Sequence, residues 1–139
     1  MSTRAASAWE SRSSPVHIEF TLDVNDPETM IGFWSQVLRY DVLDHGRYDE
    51  PDRIYWMIAD PEGRGPRLVI QRVPEPVTCK TRVHIDVHVP DIEAEAQRAV
   101  SLGATRVDAS PIEEVGAAWI RLTDPEGNLF CFVSERHDT

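Results

Sequence analysis

Asp60-Pro61-Glu62-Gly63, in "WMIADPEGRGP", returns as Asp124-Pro125-Glu126-Gly127 in "WIRLTDPEGNLF". Each copy is a turn by its chemistry: Asp and Pro open it, and Gly takes a backbone conformation that other residues avoid. Each also closes an apolar stretch led by a Trp. Two copies in like settings predict a duplicated module, which the flanking sequence can test.

Before the first copy, "VHIEFTLDV" (16–24) alternates Ile18, Phe20, Leu22 and Val24 with Glu19, Thr21 and Asp23, the pattern of a half-buried strand. "NDPETMIGFWSQVLRY" follows. Asp26 is its N-cap, Pro27 its first helical residue, and Met30, Phe33, Trp34, Val37 and Leu38 share one helical face. Short strands are expected in "YDVLDH", "RIYWMIA" and "RLVIQRV". After "VPEPVTCKT" the order repeats. "RVHIDVHV" alternates Val83, Ile85, Val87 and Val89 with His84, Asp86 and His88. "PDIEAEAQRAVSLG" is a helix with Ile92, Ala96, Ala99 and Val100 on one face, closed by Gly103. "ATRVDA", "AAWIRLT" and "NLFCFVSE" supply three more strands.

Both halves therefore read β-α-β-β-β, with DPEG joining the third strand to the fourth. Glu19 lies seven residues before Asp26, and His84 seven before Asp91, which makes them equivalent positions on the two first strands. Gln71 and Cys131 fall in the middle of the two last strands, with four extra residues, "RGPR", lengthening the first copy. Trp56 and Trp119 occupy similar strand positions, although their distances to DPEG differ by one residue. The boundaries that follow are a disordered tail over 1–14 and a single domain over 15–136. Within it lie module one (15–74), a linker (75–81) and module two (82–136).

At 139 residues the chain suits one such domain. Net charge is −10, with 14 basic against 24 acidic side chains, which argues against a nucleic-acid partner. No apolar run is long enough to span a membrane, and the first residues carry no apolar signal-peptide segment. Cys79 and Cys131 show neither metal-knuckle nor redox spacing, so the expected compartment is the reducing cytoplasm. No GxSxG elbow, P-loop or dinucleotide fingerprint is present. His17 and His45 are expected at the surface.

A lone module leaves one sheet face uncovered. Two side by side are expected to give an α+β fold: one concave mixed sheet, helices outside, and a polar-lined cavity within. Alternation then sends Ile18, Phe20, Leu22, Ile85, Val87 and Val89 to the helix side. Glu19, Thr21, Asp23, His84, Asp86 and His88 go to the cavity.

In "DVNDPETMIGFWSQVL", "RVHIDVHVPDIEAEAQRAVSLGA" and "WIRLTDPEGNLFCFV", and in the duplication itself, the chain resembles the vicinal oxygen chelate superfamily. Within that superfamily it is similar to the glyoxalase-like and bleomycin-resistance-like proteins, over roughly Val16 to Glu135. The resemblance implies a homodimer whose cavity closes within one chain or between two. It also implies one metal ligand from the first and last strand of each module: Glu19, Gln71, His84 and Cys131. Such a site holds one divalent ion (nickel, zinc, manganese or iron), or none where the ligand set has decayed.

Two departures stand out. Cys131 replaces the carboxylate of metal-dependent glyoxalases, and Arg39-Tyr40 replaces a Leu-Gly helix end. With a single His among the four positions, an extradiol dioxygenase is not expected. In one functional reading the chain is a metal-dependent lyase or isomerase acting on a small oxygenated metabolite, with Glu19 as base and His84 beside it. In the other it sequesters a drug or metabolite without chemistry, between Trp56 and Trp119. His88 and Arg121 complete the expected ligand pocket, Arg121 as a partner for an anionic group.

Overall fold

The computed structural model describes residues 16–43, 48 and 50–135; the tail over 1–14 and His45 lie outside the described residues. Both helices begin where a capping Asp requires. Asp26 accepts from the Thr29 amide at 3.3 Å and Asp91 from the Ala94 amide at 3.0 Å, starting α1 (Pro27–Leu38) and α2 (Ile92–Ser101). Their ends differ. Gly103 follows α2 with a positive φ of 121°, whereas α1 is closed by Arg39 in the left-handed region at φ 56°, ψ 41°. A non-glycine residue there is costly, and the Arg39 guanidinium reaches Glu95 of α2 at 2.7 Å.

The strands of the first module are β1 (Glu19–Val24), β2 (Asp41–Leu43), β3 (Tyr55–Ala59) and β4 (Arg67–Arg72). They form a sheet in the order β1-β4-β3-β2, with β1 parallel to β4 and the other pairs antiparallel. The second module repeats this with β5 (Ile85–His88), β6 (Thr105–Arg106), β7 (Ile112–Glu114), β8 (Ala117–Thr123) and β9 (Leu129–Glu135). Its path runs β5-β9-β8-β6, with β7 also on β8. The fold is the α+β duplication expected, divided into two mixed sheets. Among the described residues no ladder joins the edge strands β1 and β5.

The β7–β8 hairpin is an addition to the expected plan. Its turn is Val115-Gly116, with φ 41° and 77°. Paired positive φ suits a tight hairpin, but a β-branched Val in that region is rare, so the sequence carries no Asn-Gly-like signal.

One core serves both modules. Val24, Met30, Trp34, Trp56, Ile58 and Ile70 join Ala96, Ile120, Leu122, Phe130 and Phe132 in a single buried cluster. The seam is aromatic: Phe33 and Trp34 of α1 meet Phe130 of β9 edge to face, at centroid distances of 5.9 and 5.0 Å. Such pairs contribute about 1 kcal/mol each beyond burial. The second DPEG turn ties the seam. Asp124 is 2% exposed and accepts from the Trp34 indole N–H at 3.1 Å and from the Asn128 amides. Glu126 accepts from the backbone amides of Asn25 and Asp26 at 2.7 and 2.8 Å, placing a carboxylate at the N-terminus of α1.

Ile58, Leu68, Ile70, Ile120 and Leu122 fill the core side as alternation requires. Leu22, Ile85, Val87 and Val89 pack partly buried against it. Ile18 and Phe20 depart from this pattern, at 62% and 43% exposed, because the start of the edge strand β1 projects past the core.

Candidate functional site

The site is read from strand register. Thr21 and Asp86 each stand five residues before their helix N-cap. In the sheets Thr21 pairs with Val69, and Asp86 with Cys131. Val69, not Gln71, is therefore the counterpart of Cys131. Four residues separate Gly63 from Leu68 and two separate Gly127 from Phe130, so the first copy is longer by two residues rather than four. Gln71 pairs with Asp23, while Glu19 pairs with Arg67 at the other end of the ladder. Four residues of strand are roughly 13 Å, too far for Glu19 and Gln71 to share one ion.

Of the four expected ligands the structure brings two together, and adds a third residue. His84, Asp86 and Cys131 present ligand atoms within 4.8 Å of one another. The reason is local. His84 immediately precedes β5 and Asp86 is its second residue, so the two alternate onto one face, and Cys131 is the lateral neighbour of Asp86 in the parallel pair. His84 Nδ1 lies 2.9 Å from Asp86 Oδ1. Asp86 is on the cavity side that alternation gives it, but outside the four ligand positions that the resemblance implies. Glu19 is outside this group and pairs with Arg67 at 2.9 Å.

Burial, followed by the negative Asp86 carboxylate and its hydrogen bond, pushes the Cys131 thiol up to about 11. The Arg121 guanidinium opposes this only in part, so Cys131 is a thiol at neutral pH and a poor nucleophile.

The cluster opens into a cavity of about 350 Å³ lined by Lys80, His84, Asp86, Trp119, Arg121, Leu129, Cys131 and Val133. Among the described residues, every wall residue apart from Lys80 in the linker comes from module two. Trp119 and Arg121 share the concave face of β8, opposite Val133 and Cys131 of β9. Arg121 does not await an anion: Asp108 accepts from its Nε and Nη2 at 3.0 and 2.8 Å. That hydrogen-bonded pairing holds the Asp108 carboxyl below the usual carboxylate range. Asp108 lies in an irregular stretch after β6, and nothing in its local sequence marks it as the partner of Arg121.

Two expected pocket residues lie elsewhere. His88 lines a neighbouring cavity of about 750 Å³ between the modules, with Phe20, Leu38, Tyr40, Leu68 and Ile85 among its walls; His84 and Asp86 border it too. Trp56 is 1% exposed, in the core on the helix side. Tyr48 stacks on it at 6.1 Å, and the Arg53 and Arg72 guanidinium groups lie 5.4 and 5.2 Å from its ring centroid. Its register explains this: Trp56 pairs with Ile70, whereas Trp119 pairs with Val133 on the opposite kind of face. The one-residue difference in spacing to DPEG inverts the side chain. Trp56 and Trp119 do not face each other across a pocket.

The tandem βαβββ fold defines the class. Residues 19–133 match the family model described as a glyoxalase-like domain, and the chain belongs to that family, within the vicinal oxygen chelate superfamily. No curated protein matches the chain in sequence. Among solved structures it is similar to a glyoxalase/bleomycin resistance protein/dioxygenase family enzyme from Burkholderia phytofirmans PsJN. That match has TM-score 0.67 and 19% identity, covering 84% of this chain and 96% of that one. A glyoxalase family protein from Bacillus cereus gives TM-score 0.68 at 16% identity, covering 91% and 99%. The fosfomycin resistance protein FosX from Listeria monocytogenes, complexed with Mn(II) and sulfate, gives 0.64 at 15% identity, covering 88% and 92%. At these identities the likeness is one of fold. Among the described residues no helix is long and apolar enough to cross a membrane.

Proposed function

We propose that the chain is a glyoxalase-like lyase or isomerase for a small oxygenated metabolite, working on the concave face of module two. The observation that carries this reading is the meeting of His84, Asp86 and Cys131 at the mouth of the cavity that Trp119 lines. Imidazole, carboxylate and thiol are all metal donors, so the set fits a divalent ion, with His84, Asp86 and Cys131 holding it. Such an ion supplies a Lewis acid for a substrate oxygen. The remaining work falls to the chain. Trp119 covers an apolar part of the substrate, Arg121 is held in place by Asp108 as a wall, and a carboxylate takes the proton.

Glu19 is the candidate for that base, and its place on module one gives the reading a quaternary consequence. Among the described residues the cavity takes no wall from module one of its own chain. In a homodimer the first module of a second copy closes it and brings its Glu19 to the cluster. Apolar surface for that contact exists at the starts of the two edge strands, where Val16, Ile18 and Val83 are 84%, 62% and 71% exposed. The compartment in this reading is the cytoplasm.

The alternative is sequestration without chemistry, favoured by the Trp119 indole on a small open cavity. A screen of small carbonyl compounds with each divalent metal, run alongside sedimentation, separates the two. Turnover by a dimer, abolished in Glu19→Gln with ligand binding intact, supports the enzyme. Binding that is unchanged in Glu19→Gln but lost in Trp119→Ala, with no turnover under any metal, supports sequestration.

A further inference from the structure

Resting on the metal-site reading above, we infer that the cluster on β5 and β9 is a zinc site in which Cys131 binds as thiolate. This sets it apart from the manganese ion that accompanies FosX. Donor chemistry selects the ion. Mn(II) favours carboxylate, carbonyl and water oxygens, whereas a sulfur donor beside an imidazole selects a borderline-soft ion such as Zn(II). Cys131 is the residue that changes the set. It is 4% exposed and laterally paired with Asp86, so its sulfur has few directions open to it other than the cluster.

Asp86 sits between the other two. Its carboxylate faces His84 Nδ1 at 2.9 Å, and the ligand atoms of all three residues lie within 4.8 Å of one another. A carboxylate flanked this closely by an imidazole nitrogen and a sulfur is placed where one dication can hold all three. On binding, the S–H bond of Cys131 breaks, its proton leaves to solvent, and the freed sulfur electron pair bonds zinc. The proton that His84 Nδ1 turns toward Asp86 passes by way of solvent to Nε2, which frees the Nδ1 lone pair for the ion. No oxidant or reductant is needed. Three protein donors are the number found at zinc sites that keep a position for substrate, and His84 and Asp86, with side chains 36% and 47% exposed, leave the cluster open to the cavity.

The test uses the full chain, stripped of metal by a chelator and titrated with Co(II) as a spectroscopic stand-in for zinc. One equivalent is expected to produce the near-ultraviolet thiolate-to-cobalt charge-transfer absorption. Zinc should displace the cobalt at least about 100-fold more effectively than manganese, as the softness of the donors requires. Cys131→Ser should abolish the band. His84→Ala and Asp86→Asn, at exposed positions that leave the core intact, should each weaken cobalt binding at least about tenfold. Circular dichroism of every variant controls for folding. Manganese competing as well as zinc, or a band that survives Cys131→Ser, overturns the zinc assignment and leaves the glyoxalase-like reading standing with an oxygen-ligated metal. Failure of every divalent ion to bind overturns both, and leaves a His84–Asp86 pair beside a buried thiol in a ligand cavity.

Discussion

The two halves of this chain share a fold and almost no surface chemistry. At equivalent places on the concave face, module two has His84, Asp86, Cys131, Trp119 and Arg121, where module one has Glu19, Thr21, Val69, Tyr55 and Met57. The two DPEG turns diverge in the same way. The second is buried, with Asp124 and Glu126 binding module one; in the first, Asp60 and Glu62 pair with the exposed Arg64 of their own turn. Duplication supplied two copies of one scaffold. One turn became the joint between the modules, and one concave face kept the donors.

The comparison can be broken most sharply at the two tryptophans. Trp56→Ala empties a core position and should cost about 3–5 kcal/mol in denaturant unfolding. Trp119→Ala, on the open face, should change stability far less while weakening ligand binding. A finer test is replacement by Phe. The Trp56 indole N–H is buried with no partner among the described residues, whereas that of Trp34 donates to Asp124. Trp34→Phe should therefore be the more destabilising of the two.

The turns come next. Asp124→Ala strips the carboxylate from Trp34 and Asn128 and leaves buried N–H groups unmet, at a cost on the order of 3 kcal/mol. The shift in melting temperature for Asp60→Ala should be clearly smaller; equal shifts would mean that the second turn is not the joint. Glu126→Ala removes the carboxylate from the start of α1 and should cost about 1 kcal/mol.

The smallest expected effects concern the concave face of module two. Asp108 is held below its ordinary range by Arg121, so its contribution is present above its unfolded pKa and lost as pH falls through the folded value. The melting temperatures of wild type and Asp108→Asn should differ most near neutral pH and converge in acid. A thiol reagent at neutral pH should label exposed Cys79 rapidly and buried, protonated Cys131 only on unfolding.

Both helices were legible from their capping Asp residues and apolar stripes, since those signals lie within a few residues of one another. So were "AAWIRLT", which became β8 residue for residue, and the opposite facing of His84 and Ile85. The partner of β1 was harder to read. Choosing Gln71 over Val69 required knowing how far β4 slides along β1, and a loop two residues longer permits either register. Trp56 was misplaced by a single residue for the same reason. Strand side chains change faces at every step, so an alignment anchored on a turn is only as good as its last residue.

Periodicity and capping act over short stretches, so the duplication, the order of the elements apart from β7 and the alternation along each strand follow from the chain itself. Tertiary structure alone decided which donors meet. It brought Asp86 into the cluster, set Glu19 and Gln71 at opposite ends of their ladder, buried Trp56, and gave Arg121 to Asp108. Each of those outcomes depends on the lateral register of strands far apart in the chain, which backbone hydrogen bonding and core packing fix together and no local pattern encodes.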